Sequence, residues 1–480
     1  MKRVPYFLIL TISFLFLLPT SHISAQDAVY SELHSYIENY IEDQRIPGAA
    51  ISIVENDRII YSESFGKTGG DELVVTQETP FSLGSISKSF TALAVLKLVE
   101  KELIELDDPI KKYLPSFTLK DEEASNEITI KQLLIQTSGI STYDGLAISD
   151  LGSGKSDAIQ TNIQLLSDTK LTKTPGTLHQ YSNANYSILA ALIEAVSGRS
   201  YADFMDEQVF RPLEMNHAAA DKERAYEHGY QPGYQSWFGF PVKSNVPYDN
   251  GGAPYGYITA SSNDMVHYLM ALIERNEEKL VKEMLLDQSF LPHVQTGETR
   301  YYGFGWRITD PGSDKEMIWH SGSTPDSRTD IFFYPKDNWG GVILTNKEHI
   351  LEEAALIHFR NGIISILNGE KPVKVDAYKP TVQIVISVLL LILAATTIQL
   401  LVKIKSSKRR RYRRMNIGIG MILILLAIII IPSLMYFSSS PWHSIKLFAP
   451  DIALLTVLLS VLLFANGSLL LVSSKRKKIA

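Results

Sequence analysis

The sequence predicts an α+β fold, an antiparallel sheet flanked by helices, followed by three transmembrane helices. One observation is the order of patterns: a helix, a two-stranded hairpin, a series of helices, a run of strands and a closing helix, an order that suggests one antiparallel sheet covered by helices. A second is a set of apolar runs at 382–402, 416–437 and 452–472, each long enough to span a bilayer. The third is the leader. Lys2 and Arg3, an apolar run from Val4 to Leu18, Pro19 and small residues ending at Ser24-Ala25 form the pattern of a secretory signal peptide over residues 1–25. Ile23 is large for the −3 position, so an uncleaved anchor is the alternative. Either form exports the domain that follows, 26–370, which a linker at 371–381 joins to the first span.

The elements follow in order. Val29, Leu33, Tyr36, Ile37, Tyr40 and Ile41 fall on one helical face, and Ala49–Val54 with Ile59–Phe65 read as a hairpin around Glu55-Asn56-Asp57-Arg58. A long apolar helix starts after Gly84. A short one over Ile128–Gln136 is capped around Thr129 and stopped at Ser138-Gly139, and another runs from about Asn185 to Val196 with Gly198 at its end. Strands then come from Gly303 to Thr345, with a turn at Lys336-Asp337-Asn338, and Ala354–Leu367 is the last helix of the domain.

Charge separates the two parts. Residues 381–480 hold 13 Lys/Arg and one acid, Asp451, for +12; Lys2 and Arg3 add +2, so a total of −6 leaves 26–380 at −20. An acidic body with a basic tail is not the footprint of a nucleic-acid binder. The basic residues fill the loop 403–415 and the tail 473–480, which the positive-inside rule places in the cytoplasm, leaving 26–370 and the loop 438–451 outside. The expectation is a multi-pass protein of the cell membrane whose domain 26–370 is extracytoplasmic, with room for a membrane protein partner. There are no cysteines, hence no disulfide, no thiolate metal site and no lipoprotein-type anchor. The 11 histidines show no His-x-x-x-His pairing, and no metal and no cofactor are expected.

The chemistry centres on Ser85 and Lys88. At i, i+3 on a helix the two side chains share one face, one turn apart. A serine hydroxyl needs a base to take its proton, and a lysine becomes one when burial lowers its pKa. Ser-x-x-Lys recurs at Ser64–Lys67, Ser167–Lys170 and Ser474–Lys477, but only Ser85 opens a long apolar helix behind a glycine. Tyr181-x-Asn183 stands on a loop just before a helix. Its repeat at Tyr248-x-Asn250 lies in a Gly/Pro/Asn-rich stretch that reads as surface loop. His320-x-Gly322 lies on a strand.

Ser85-x-x-Lys88, Tyr181-x-Asn183 and His320-x-Gly322 stand in the order and separations of one family. Leu106-Asp107-Asp108-Pro109, Thr137-Ser138-Gly139, Pro175-Gly176, Pro212-Leu213-Glu214-Met215, Gly303-Phe304-Gly305-Trp306 and Leu344-Thr345-Asn346 are further landmarks. The chain resembles the serine β-lactamase-related family: class C β-lactamases, D-alanyl-D-alanine carboxypeptidases, D-aminopeptidases and related esterases. The resemblance covers roughly residues 28–367 and implies the β-lactamase/transpeptidase-like sheet with a helical subdomain.

It also implies roles. Ser85 would be the nucleophile forming an acyl-enzyme, with Lys88 and Tyr181 moving its proton; which of the two is the acylation base stays open, since a coupled pair titrates together. Asn183 would bind the substrate amide and Lys88. The N–H groups of Ser85 and Ser323 would form the oxyanion hole, and His320, beside Gly322, would meet a substrate carboxylate while charged in part at neutral pH. The sequence departs from the family at Ser323-Thr324-Pro325-Asp326, where a glycine-rich run is usual and where Asp326 adds an acid beside the carboxylate-binding edge. Gln136 and Glu214 replace a histidine and a glycine.

The expected function is a membrane-tethered serine hydrolase acting through an acyl-enzyme on D-amino-acid peptides or amides of the cell wall, in the manner of a DD-carboxypeptidase or penicillin-binding protein. Peptidoglycan stem peptides are the natural partners. An esterase or β-lactamase is the rival within enzymes. A non-hydrolysing cell-wall or β-lactam-binding sensor or scaffold is the rival outside them.

Overall fold

The computed structural model describes residues 25–71, 73–405 and 413–474. The signal peptide expected at 1–25 (up to Ser24), the centre of the basic loop at 406–412 and the tail from residue 475 lie outside the described residues.

One eight-stranded antiparallel sheet organises the domain. Its strands are β1 (Gly48–Glu55), β2 (Arg58–Gly66), β3 (Val294–Gln295), β4 (Arg300–Tyr302), β5 (Arg307–Thr309), β6 (Met317–Thr324), β7 (Ser327–Tyr334) and β8 (Trp339–Thr345), and the order across the sheet is β2-β1-β8-β7-β6-β5-β4-β3. The N-terminal hairpin thus pairs with the last strand, Ala49 opposite Thr345. Side chains of β1 alternate between two cores, as a period of two requires. Ala49, Ile51 and Ile53 join Leu33, Ile37, Phe359 and Ile363 of helices α1 (Ala25–Asp43) and α5 (Glu353–Leu367). Ala50 and Val54 face the larger core with α2 (Ser87–Glu100), α3 (Asn183–Ser197) and α4 (Ser262–Ile273). Both faces being covered, β1 is buried from Gly48 to Val54.

Helix α2 is buried continuously from Ser87 to Leu98, so it is the central helix of the domain and not an amphipathic one. Short helices between residues 122 and 164 form the helical subdomain against α3. The capped turn expected near Thr129 is there: Thr129 and Gln132 make a reciprocal capping box. Helix α3 ends as expected on a left-handed Gly198. The expected surface loop around Tyr248 is overturned. Tyr248 and Asp249 are almost wholly buried, because Tyr248 packs edge-on against Tyr230 and Tyr257 while Asp249 accepts from the N–H groups of Leu151, Ser153 and Gly251.

The tail forms α6 (Thr381–Lys405), α7 (Arg413–Ser438), α8 (Trp442–Phe448) and α9 (Pro450–Ser474). Of these α6, α7 and α9 are long and apolar enough to cross a membrane. Between α6 and α9, Asn466 Nδ2 donates to Leu393 O at 3.0 Å and Thr397 Oγ1 at 2.8 Å, and Thr396 Oγ1 donates to Asn466 Oδ1 at 3.0 Å. Such polar groups hold spans together where lipid gives no hydrophobic drive.

Candidate active site

Ser85 sits in a single 3-10 turn, Gly84–Ile86, directly before α2. The turn is pinned to the sheet from below: Thr329 Oγ1 donates to Leu83 O at 2.6 Å and Ser327 Oγ to Ser82 O at 3.0 Å. Gly84 has φ +53°, and a Cβ on it would lie 2.2 Å from Ser323 N. A Cβ on Gly322 would lie 1.9 Å from Leu83 O. Two glycines therefore let the turn and β6 abut, which brings the backbone of Ser85 beside that of Ser323. Strand β5 pairs with β6 only through Met317, Ile318 and Trp319, so residues 320–324 run past its end along the cleft.

Lys88, one turn into the helix, is fully buried. Its Nζ donates to Ser85 Oγ at 3.0 Å and to Tyr255 O at 2.8 Å, and lies 4.8 Å from the Tyr181 ring centre. Burial, then the Arg307 cation, holds its ammonium well below the usual lysine range, with Asp150 opposing. A neutral amine reverses the 3.0 Å contact, so that Ser85 donates to Nζ.

Tyr181 is carried on the segment leading into α3, fixed where Ser182 N donates to Gln136 Oε1 at 2.9 Å and Thr142 Oγ1 donates to Tyr181 O at 2.7 Å. Gln136, the departure from the family's histidine, thus has a structural part in aiming Tyr181. The phenol pKa is raised, by burial first, with Arg307 and Ser85 opposing. No hydrogen bond of ordinary geometry joins its hydroxyl to Ser85 or to any other group among the described residues. Tyr181 is a protonated phenol at neutral pH.

Asn183 is the first residue of α3, and its amide donates to Ser149 Oγ at 3.1 Å, not to Lys88 as expected. His320 also departs from its expected part. It is buried on β6, with Nδ1 2.7 Å from Ser321 O and Nε2 3.4 Å from the Tyr302 hydroxyl. Burial, Arg307 and Lys88 together hold its pKa well below the ordinary histidine value, so the ring is neutral at physiological pH and brings no charge to a carboxylate. Asp326 points away from the edge it was expected to acidify: it is buried under the β6–β7 turn, accepting from Gly233 N at 3.2 Å and Thr324 Oγ1 at 3.3 Å.

Two charged residues of the site were missed. Arg307, on β5, stacks its guanidinium over the rings of Tyr181, Tyr302 and Trp319 at 5.3, 5.8 and 5.6 Å. It is the cation felt by Lys88, Tyr181 and His320. Asp150 lines the cleft with Ser85, Tyr181, Asn183, Tyr255 and Ser323. Its carboxylate accepts from the Tyr257 hydroxyl at 2.8 Å, and burial pushes its pKa up to about 6. Neither lies in a motif; the signal available in the sequence was only that Arg307 directly follows the Gly303-Phe304-Gly305-Trp306 landmark. Among the described residues no group of His, Asp and Glu could hold a metal ion.

A serine next to a buried lysine whose pKa burial holds well down, with a phenol and two abutting backbone segments around it, on a helix backed by an antiparallel sheet, is the arrangement of serine hydrolases of the penicillin-recognising type. The chain belongs to the β-lactamase family, whose profile matches residues 33–361. It is 26% identical over 336 residues to protein flp of Staphylococcus aureus (strain MW2), covering 70% of this chain and 66% of that protein. It is 28% identical over 354 residues to penicillin-binding protein 4* of Bacillus subtilis (strain 168), covering 69% and 75%. Its fold is similar to the octameric penicillin-binding protein homologue from Pyrococcus abyssi, with a TM-score of 0.63, 26% identity and coverage of 72% of this chain and 78% of that one. The chain thus spans just under two thirds of the length of the staphylococcal relatives. The matched region ends before α6, so the family accounts for the catalytic domain and not for the tail.

Proposed function

We propose that the protein is a membrane-tethered acyl-transferring hydrolase whose nucleophile is Ser85 and whose substrates are peptides or amides with D residues, as in cell-wall stem peptides. The observation that supports it most is the buried Lys88 Nζ, 3.0 Å from Ser85 Oγ and held well below its usual pKa. With Tyr181 protonated, Lys88 is the group free to accept a proton. Ser85 Oγ gives its proton to Lys88 and bonds to the substrate carbonyl carbon, while the N–H groups of Ser85 and Ser323 take up the oxyanion. Tyr181 then protonates the leaving amine as the C–N bond breaks, and Lys88 returns the proton to Tyr181. Water repeats the path in reverse to free Ser85. Arg307, in place of His320, supplies the fixed cation for a substrate carboxylate.

Cleavage of esters is a second reading. Asp150 and Glu353 both line the cleft, and two acids there favour a substrate ammonium and repel a carboxylate. The relatives named as penicillin-binding proteins support the peptide reading. The topology proposed, with the domain outside, follows from the leader and the basic loops. Incubation with labelled penicillin and a fluorophosphonate tests the nucleophile: wild type labels, Ser85→Ala does not, and Ser64→Ala and Ser167→Ala label normally. An adduct mapped to any other residue refutes it. A panel of D-Ala-D-Ala peptides, their C-terminal amides and D-alanyl esters then separates the two readings.

A further inference from the structure

The cleft has one wall that lies outside the family's matched region. Phe448, at the end of α8, lines it together with Ser85, Tyr181, Ser323, Leu146 and Ile350. Helix α8 is seated on the catalytic domain by two polar contacts: His443 Nε2 lies 3.0 Å from Ser149 O, and Gln235 Nε2 donates to Leu447 O at 2.6 Å. Ser149 is the residue that takes the Asn183 amide, so α8 touches the site itself.

Behind α8 a buried carboxylate ties the tail down. Asp451, in the first turn of α9, accepts from His349 Nε2 at 2.9 Å, from Phe238 N at 2.9 Å and from Gln383 Nε2 of α6 at 3.1 Å. Leu351 N donates to His349 Nδ1 at 3.1 Å, which fixes the proton on Nε2 and aims it at Asp451. Tail and domain are thus joined at His349, and the residues that follow it, Ile350 and Glu353, line the cleft.

This geometry sets the height of the cleft above the bilayer. Phe448 is two residues before Pro450, where α9 begins. Two extended residues reach about 7 Å, and the headgroup layer of one leaflet is about 5–7 Å deep. With α9 entering the hydrocarbon at Pro450, Phe448 stands in the headgroup layer on the catalytic domain's side. At the same mouth Ile350 and Leu351 remain 50% and 42% exposed, an apolar lip between the cleft and the bilayer.

The geometry points to a substrate taken from the membrane surface: an amphiphile whose scissile acyl bond lies in the headgroup layer and whose apolar chain stays in the adjoining leaflet, received by Phe448 and Ile350. This rests on Ser85 as the nucleophile and deepens that reading by naming the class of substrate. It also gives the three spans a reason, since a single span would not return α8 to the domain.

The test uses the full chain in nanodiscs of phosphatidylethanolamine and phosphatidylglycerol, with an ethyl and a hexadecyl fluorophosphonate. Each labels by the same step, in which Ser85 Oγ displaces fluoride from phosphorus and its proton passes to Lys88. The quantity read is the ratio of second-order labelling constants, long chain to short. Bilayer partitioning favours the long probe in every variant, so the change in ratio between variants is decisive. Phe448→Ala is expected to lower the ratio about tenfold, Phe448→Leu to keep it within a factor of two or three, and Asp451→Asn to lower it while speeding amide hydrogen exchange across 442–448. Because the chain has no cysteine, Gln235→Cys with Leu447→Cys reports docking directly through a short thiol crosslinker. An unchanged ratio in Phe448→Ala, or no crosslink at 235–447, overturns the proposal while leaving Ser85 as the nucleophile. Failure of both probes to label wild type refutes the nucleophile instead, and failure of the long probe alone overturns the amphiphile.

Discussion

Arg307→Gln tests the electrostatics behind the proposed role of Lys88 as the base. Lys88 Nζ and Arg307 Cζ lie 4.8 and 5.3 Å from the same Tyr181 ring centre, which puts them no more than about 10 Å apart. At an effective dielectric of about 20, two like charges at about 10 Å repel by roughly 1.7 kcal/mol, a little over one pKa unit. The repulsion lowers the Lys88 pKa, so removing the cation raises it. Acylation needs the neutral amine and therefore climbs with pH through the Lys88 pKa. The climb in Arg307→Gln should come about one unit higher, with a roughly tenfold loss of rate below it and little change on the plateau. The assay is the second-order rate of Ser85 labelling by an uncharged short-chain fluorophosphonate from pH 5 to 10, which removes any part Arg307 has in holding a carboxylate. A climb that stays in place, or moves to lower pH, refutes the assignment of Lys88 as the base under Arg307's field.

Asp150→Asn should do the opposite, because the Asp150 charge raises the Lys88 pKa: the climb moves to lower pH. The folded-state pKa of Asp150, about 6, is above its unfolded value, so the group favours folding below about pH 4 and that contribution is lost as pH rises through 6. Thermal melts of Asp150→Asn should therefore lack that part of the wild-type pH dependence. Gly84→Ala places a Cβ 2.2 Å from Ser323 N at a positive φ, forcing apart the two segments that bear the proposed oxyanion donors. Labelling should fall by about 10²-fold or more, the loss typical of one donor, while far-UV circular dichroism stays the same. Arg360→Met removes the buried partner of Asp330 at 3.3 Å and leaves it only the Arg328 charge nearby, which should destabilise the domain by up to about 3 kcal/mol. Arg360→Met with Asp330→Leu should recover most of that loss, as read by chemical denaturation.

Most of the sheet was legible because its strands carry local signals: the turn at Lys336-Asp337-Asn338, the apolar run of β1 and the Glu55–Arg58 hairpin all mark their own ends. The three motifs were legible for the same reason, each being a short string tied to the start of a helix or to a strand. What failed to read was environment. His320 is one of 11 histidines in the text, and only the packing of β6 against Tyr302 and Arg307 shows that its ring is neutral. Tyr248 sits among glycines, prolines and asparagines, which signal a loop correctly but not its depth. The loop is buried because Asp249 satisfies the N–H of Gly251 within it and those of Leu151 and Ser153 in the segment packed against it.

The tail shows the same limit in another form. Along the chain Asp451 is a lone acid at the head of an apolar run, where it reads as a boundary residue meeting water. In the fold it is wholly buried, and its partners come from 68, 102 and 213 residues away, at Gln383, His349 and Phe238. An unpaired carboxylate so placed would be costly to bury, so the three donors and the acid need one another. No pattern within the spans records that dependence. It follows that the boundary at residue 370, where the family landmarks stop, marks the end of the recognisable domain but not of its packing. His349 and Gln235 lie before that boundary, and their hydrogen bonds lead to Asp451 and Leu447 beyond it. A fragment ending at 370 would leave the His349 Nε2–H without its acceptor and the cleft without Phe448, so the tail belongs to the structure of the site as well as to its anchorage.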